Sequence, residues 1–271
     1  MTGPALPPPS TLLPNAFKAG LQAGKPQIGL WSSLCSPMVT ELLGYVGFDW
    51  ILIDSEHAPN SDFAVASQLQ SLALGTAEPV VRVAWNDQVM LKRLLDVGAR
   101  SILVPMVQNA EQARAAVAAT RYPPHGIRGV SVAQRANHFG RVPGYLKNAS
   151  QEMCVLVQLE TREALKHLEE IAAVEGIDGL FIGPSDLAAS LGHLGDNAHP
   201  DVQTAIADAC ARAKKAGKPL GILAPVEADA RRYFEMGFAY VAIGSDVGVL
   251  NNGARGALNR MREAVGLTKL G

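Results

Sequence analysis

Along most of the chain, short apolar runs alternate with longer stretches in which apolar residues return every three or four positions. The runs predict strands over Ile28–Trp31, Trp50–Asp54, Val80–Val83, Ser101–Pro105, Cys154–Leu159, Gly179–Ile182, Leu220–Leu223 and Tyr240–Ile243. Most are apolar at nearly every position, as in parallel strands covered on both faces. The longer stretches predict helices over Pro37–Tyr45, Asp62–Leu74, Asp87–Val97, Asn109–Thr120, Arg162–Ala173, Val202–Ala216 and Val226–Met236. Gly47, Gly98, Gly217 and Gly237 each separate a helix from the next strand, where a glycine C-cap is expected. Eight alternations in 271 residues predict one closed (β/α)8 TIM barrel, which takes about 250 residues, over an open doubly wound sheet. No Gly-x-Gly-x-x-Gly follows the first strand, so a dinucleotide-binding sheet has no support.

Two segments fall outside the alternation. Residues 1–14 are rich in proline and are expected to form a flexible tail preceding a barrel domain over residues 15–271. The segment Arg121–Ser150 lies between the fourth helix and the fifth strand. It either enters that strand from the bottom of the barrel or wraps towards a neighbouring subunit.

Composition narrows the function classes. Apolar residues make up 48% of the chain, enough for a substantial core, while charged residues are only 18%, which favours surface buried in an oligomer. With a formal net charge of −1 and no run of Lys or Arg, no nucleic-acid or membrane partner is expected. The three cysteines, Cys35, Cys154 and Cys210, have neither metal-binding nor disulfide spacing, so free thiols in a reducing compartment are expected. Without a signal peptide or a span of about 20 apolar residues, the chain reads as cytoplasmic.

Chemistry in this fold sits at the C-terminal ends of the strands. Cys154-Val-Leu-Val-Gln-Leu-Glu160 and Gly179-Leu-Phe-Ile-Gly-Pro-Ser-Asp186 each carry an apolar run into a carboxylate. A buried carboxylate is costly without a partner. Two converging on one mouth can hold a divalent cation through oxygen and leave positions open for substrate. A helix cap for Asp186 and a surface ion pair for Glu160 are the plainer alternatives. Gly183-Pro-Ser-Asp186 also opens a helix, whose first amides can receive a carboxylate. The second strand ends in Asp54-Ser-Glu-His57, and of the six histidines His57 alone falls at a strand end, which suits acid–base work as well as a structural role. Asp96, late in the third helix, is a further acid that could orient it. Arg82, flanked by valines, must find a partner: Asp54 or Glu56, or a developing enolate oxygen. No lysine stands at a strand end, which disfavours Schiff-base chemistry.

Six stretches together resemble the 4-hydroxy-2-oxoheptane-1,7-dioate aldolases, the HpcH/HpaI aldolase family. They are Phe48-Asp-Trp-Ile-Leu-Ile-Asp-Ser-Glu-His-Ala-Pro59, Leu94-Leu-Asp-Val-Gly98, Leu103-Val-Pro-Met-Val-Gln-Asn109, Arg121-Tyr-Pro-Pro-His-Gly-Ile-Arg-Gly129, Val157-Gln-Leu-Glu-Thr161 and Phe181-Ile-Gly-Pro-Ser-Asp-Leu187. The resemblance runs from about Asn15 to the C-terminal region. It implies a class II pyruvate aldolase, dependent on magnesium, manganese or cobalt, that cleaves 4-hydroxy-2-oxo acids to pyruvate and an aldehyde. It also implies a homohexamer of three dimers that exchange their last helix. By the same resemblance Glu160 and Asp186 are metal ligands. Arg82 and Gln158 contact pyruvate, and the amides of Ser185 and Asp186 receive its carboxylate. His57 and Asp96 form a proton-transfer dyad with Asp54 nearby, and Trp31 and Leu223 form the apolar wall. Ser32-Ser-Leu-Cys-Ser-Pro37 and Ser131 depart from the best-known members where the aldehyde half would be read. Another metal-enolate enzyme, a 2-oxo-acid decarboxylase or an acyl-CoA lyase, and a non-catalytic 2-oxo-acid-binding barrel remain as alternatives.

Overall fold

Eight parallel strands close on themselves in chain order in the computed structural model, which describes residues 14–270. All but Pro14 of the expected proline-rich tail lies outside the described residues. Helix α1 (Ala16–Gln22) is followed by β1 (Gln27–Ser32), α2 (Pro37–Val46), β2 (Trp50–Asp54), α3 (Asp62–Leu72), β3 (Glu78–Arg82), α4 (Gln88–Asp96), β4 (Ser101–Val104) and α5 (Ala110–Thr120). The second half comprises α6 (Tyr145–Asn148), β5 (Cys154–Leu159), α7 (Arg162–Lys166), α8 (Leu168–Ala172), β6 (Gly179–Ile182), α9 (Pro184–Leu191), α10 (Pro200–Lys215), β7 (Leu220–Leu223), α11 (Glu227–Met236), β8 (Tyr240–Ser245) and α12 (Asp246–Ala264). The register is parallel throughout and closes between β1 and β8, where Gln27 pairs with Tyr240. This is the (β/α)8 barrel that the sequence predicts. Gly47 and Gly237 end α2 and α11 with φ of 105° and 107°, values glycine adopts without a steric cost.

The strands explain the barrel's two cores. Side chains alternate along a strand, so residues two apart share a face. On β2, Ile51 and Ile53 pack outwards under the helices, while Trp50 and Leu52 pack inwards. Val80, Leu103, Cys154, Leu156, Phe181 and Tyr240 join this inner core. Large rings fit because glycines face them: a Cβ on Gly29 would lie 2.2 Å from Trp50 Cε2, and one on Gly221 would lie 2.2 Å from Tyr240 Cε2.

Helix α1 was not legible in the apolar pattern. Its Phe17 is fully buried, with ring centroids 5.6 Å from Trp50 and 5.4 Å from Tyr240, so it closes the bottom of the barrel. The helix expected over Arg162–Ala173 is divided at His167 into α7 and α8. The Arg121–Ser150 segment covers the bottom: Arg135 Nη1 donates to the Val97 carbonyl at 2.7 Å, and Val142, Tyr145 and Ala149 form a small core of their own. A cavity of about 650 Å3 lies there, lined by Leu72, Gly98, Arg135, Tyr145 and Met153, at the end remote from the strand C-termini.

Candidate active site

The inward parity of the strands carries directly into the mouth. On β5, Cys154 and Leu156 point inwards, and so do Gln158 and Glu160 beyond them. On β2 the inward set is Trp50, Leu52 and Asp54, and on β3 it is Val80 and Arg82. Buried polar groups therefore follow from the same alternation that builds the core.

Glu160 is the most constrained of them. It is only 1% exposed. Its Oε1 accepts from the Met106 amide at 2.7 Å, and its Oε2 accepts from Gln158 Nε2. Gly183, at the end of β6, leaves the space it needs, since a Cβ there would stand 2.3 Å from Oε2. Burial pushes the Glu160 carboxyl up to about 7, against the two hydrogen bonds, and the charges of Glu56 and Asp186 push the same way. A carboxylate raised chiefly by burial, with two further acids beside it, suits a group that receives a cation.

The sign of the stability effect follows. Glu160 ionises ordinarily at 4.5 and in the fold at about 7, so its contribution to stability is complete below 4.5 and lost as the pH rises through 7. The full loss is about 3 kcal/mol. The metal-free protein is expected to become easier to unfold in urea between pH 5 and pH 8, and Glu160→Gln is expected to flatten that slope. An equally steep slope in the variant would refute the assignment.

Asp186 lies in the first turn of α9 and is exposed to the mouth. Gly183 caps this helix without a side-chain hydrogen bond, and the amides of Ser185 and Asp186 have no partner among the described residues. Ser185 Oγ accepts from Asn197 Nδ2 at 3.2 Å.

Arg82 resolves its burial by pairing with both acids named from sequence. Its Nε donates to Asp54 Oδ1 at 2.9 Å and its Nη2 to Asp54 Oδ2 at 2.8 Å, a bidentate pair. Its Nη1 lies 2.7 Å from Glu56 Oε2, an ion pair outside hydrogen-bond angles. Burial raises Asp54, yet Arg82 and the amides of Glu56 and His57 overcome it and hold the carboxyl below its usual range. Burial raises Glu56 above its usual range despite Arg82. The guanidinium carbon sits 5.0 Å from the Trp31 ring centroid, and Trp31 packs on Phe181 at 5.6 Å. Leu223, at the end of β7, packs on the same inner cluster.

His57 and Asp96 are not brought together within one chain. His57 is exposed, and its only ion-pair partner among the described residues is Glu56, at 3.9 Å. Asp96 ends α4, and helices in this barrel run from the mouth to the bottom; nine residues span about 13 Å. There Asp96 accepts from Arg128 Nη2 at 3.0 Å, and the buried Arg128 stacks on Tyr122 at 4.6 Å.

Two contributors escaped the sequence. The Met106 N–H that holds Glu160 is a backbone donor, aimed by φ of 55°, and no side chain announces it. Asp246, buried at the start of α12, accepts from Ser32 Oγ at 3.2 Å and from the amides of Ser33 and Leu34 at 2.9 and 3.0 Å, fixing the loop after β1. Its position at the end of β8 was the available signal.

Known proteins share this fold and much of this sequence. The profile of the HpcH/HpaI aldolase/citrate lyase family matches residues 27–253. A 4-hydroxy-2-oxo-heptane-1,7-dioate aldolase of Klebsiella pneumoniae is 58% identical over 89% of this chain and 91% of its own. A 5-keto-4-deoxy-D-glucarate aldolase of Escherichia fergusonii is 54% identical over 90% of this chain and 95% of its own. The crystal structure of a family protein from Burkholderia cenocepacia superposes with a TM-score of 0.90 at 44% identity, covering 92% of this chain and 99% of that one. With a matching profile over most of its length, close relatives and the same barrel, the chain belongs to the HpcH/HpaI aldolase/citrate lyase family.

Proposed function

We propose that the protein is a divalent-metal-dependent class II aldolase that reversibly cleaves 4-hydroxy-2-oxo diacids to pyruvate and a semialdehyde. The observation that carries the reading is the buried Glu160 carboxylate, raised to about 7 and set near the charges of Asp186 and Glu56. The names of both relatives describe one chemical class. Numbered from its keto end, a 5-keto-4-deoxyglucarate is also a 4-hydroxy-2-oxo diacid, so the two substrates differ only in the aldehyde half. The aldolase names of relatives more than half identical to this chain favour cleavage of this class over the decarboxylase, acyl-CoA lyase and binding-module readings.

The residues fit a hard cation: Glu160 and Asp186 offer carboxylate oxygens and leave positions for substrate and water. When bound, magnesium, manganese or cobalt supplies Lewis-acid polarisation of the 2-oxo group. The chain's own groups do the rest. The amides of Ser185 and Asp186 take the substrate carboxylate, as helix starts do. Arg82, clamped by Asp54 and Glu56, holds a guanidinium where negative charge develops as the C3–C4 electron pair moves towards the 2-oxo oxygen. Gln158 steadies Glu160 and faces the substrate, while Trp31 and Leu223 shut water from the apolar side. His57 removes the C4 hydroxyl proton, which lets the aldehyde leave as the bond breaks. In the reverse direction the same base takes a proton from the pyruvate methyl. Asp96 can serve as its orienting acid only from a neighbouring subunit, because within one chain it lies at the other end of the barrel.

The test is exchange of the pyruvate methyl protons in deuterated water. Exchange is expected with magnesium or manganese and not after chelation; a protein that binds pyruvate without exchange would refute catalysis. An aldehyde panel then separates a four-carbon semialdehyde from a three-carbon hydroxy-semialdehyde by kcat/KM.

The homohexamer of three dimers rests on α12. Of its residues only Asp246 is buried, while Val249, Leu250, Leu258 and Met261 are exposed along it. An apolar helix left off its own barrel is suited to docking on another copy. Native mass spectrometry is expected to give six chains, and a monomer at micromolar concentration would reject the exchange.

A further inference from the structure

The Arg121–Ser150 segment takes no part in the carboxylate mouth, yet it encloses the cavity of about 650 Å3 at the bottom of the barrel. That size lies within the range of small-molecule sites, which are mostly apolar with a few placed polar groups. Leu72, Ala77, Val142, Tyr145 and Met153 give it buried apolar walls. The turn Arg135–Arg141 forms one side and is held by its own hydrogen bonds. His138 N–H donates to the Arg135 carbonyl at 2.9 Å and Phe139 N–H to the Gln134 carbonyl at 2.8 Å. The buried Asn137 accepts from the Gly140 amide through Oδ1 at 2.8 Å.

The charges on the lining do not balance. Both of its acids are engaged: Arg100 clamps Glu78 with two bonds of 2.7 and 2.9 Å, and Glu152 Oε2 accepts from the Asn15 amide at 2.6 Å. Among the described residues, the guanidiniums of Arg135 and Arg141 donate only to the Val97 and His138 carbonyls, at 2.7 and 3.2 Å, and no carboxylate pairs with either. Burial pushes the Arg135 guanidinium down from its ordinary range, and no nearby acid offsets it. Gly98, with φ of 106°, makes room for this group, since a Cβ there would stand 2.5 Å from Nη1. Capping the C-terminus of α4 accounts for one N–H of Arg135. It does not account for a half-buried cation set against an apolar cavity without a counter-charge, which is costly.

We propose that this cavity binds a small organic anion, with its carboxylate on Arg135, Arg141 beside it, and its apolar body against Leu72, Tyr145 and Met153. The anion supplies the missing counter-charge, and the body fills space that the side chains leave open. The Nε–Nη2 edge of Arg135 is unspent among the described residues. It can receive a carboxylate with two parallel bonds while Nη1 stays on Val97. The carboxylate mouth lies at the opposite end of the barrel, so both sites can be filled at once.

The proposal does not depend on the aldolase reading, and its test reads binding rather than turnover. The full chain is titrated by calorimetry with 2-naphthoate and with 2-naphthamide, which keeps the rings and lacks the charge. Each titration is repeated with pyruvate and Mg2+ present to occupy the mouth. One naphthoate per chain is expected, undisplaced by pyruvate, with naphthamide weaker by about 10- to 100-fold, the scale of a hydrogen bond to a charged group. Arg135→Gln is expected to weaken naphthoate by the same factor and to leave naphthamide unchanged. Arg141→Gln, at an exposed position, is expected to weaken naphthoate several-fold, and it decides alone if Arg135→Gln fails to fold. Absence of naphthoate binding overturns the site, as do equal affinities for acid and amide, displacement by pyruvate, or unchanged naphthoate binding in the folded variants.

Discussion

Glu160→Gln is expected to lower metal-dependent aldol cleavage by about 1000-fold, the several kcal/mol that a bound cation contributes to charge stabilisation, while the barrel stays folded. The local geometry says why folding survives. The new amide oxygen can still accept from Met106 N–H, as Oε1 does now at 2.7 Å. Its nitrogen would face Gln158 Nε2, donor against donor. Gln158 Oε1 is buried without a partner, so turning that amide over restores a hydrogen bond and gives its oxygen a donor. What cannot be restored is the negative charge that a cation needs. Asp186→Asn, in an exposed first-turn position, is expected to give the same kinetic loss with no change in stability. Metal content by elemental analysis and pyruvate release by a coupled assay check both variants. Turnover that persists in either variant after metal is stripped would reject the pair as ligands.

The barrel was legible because parallel strands under helices are apolar on both faces, as β2 is from Trp50 to Ile53 and β5 from Cys154 to Val157. Helix α1 was not, since seven residues give too little period and Phe17 is explained only by the ring it meets inside the barrel. At the mouth, Glu160, Asp54 and Arg82 could be picked out because charge inside an apolar run demands a partner, and alternation places all three inwards. The Met106 amide could not, because a backbone donor has no residue signature. The pairing of His57 with Asp96, suggested by residue type and by the resemblance, is not made within a single chain, where Asp96 pairs with Arg128. Helix direction explains this: a residue at the end of α4 lies beside the bottom segment, where Arg128 takes it.

Arg82→Ala is expected to destabilise the protein by about 3–5 kcal/mol, because it leaves the buried Asp54 and the partly buried Glu56 without their shared counter-charge. The pH dependence separates this from simple loss of packing. In the native protein Asp54 is held below its ordinary 3.8, so its contribution is present above that value and lost only as the pH falls through the depressed one. Without the guanidinium, burial acts unopposed by the ion pair and lifts both carboxyls. Their contribution then reverses: stability returns as the pH falls towards protonation and is lost as it rises. Urea unfolding at pH 5 and pH 7 is therefore expected to show the variant closest to wild type at the lower pH. A deficit independent of pH would assign Arg82 to packing alone. Arg82→Lys separates charge from geometry, since an ammonium cannot make the two-pronged bond to Asp54 while also reaching Glu56. That variant is expected to fold yet lose about 100-fold in kcat, the scale on which a single preorganised donor contributes to a developing oxyanion. Full activity in the lysine variant would mean that positive charge at the mouth suffices and that the clamp on Arg82 has no part in the chemistry.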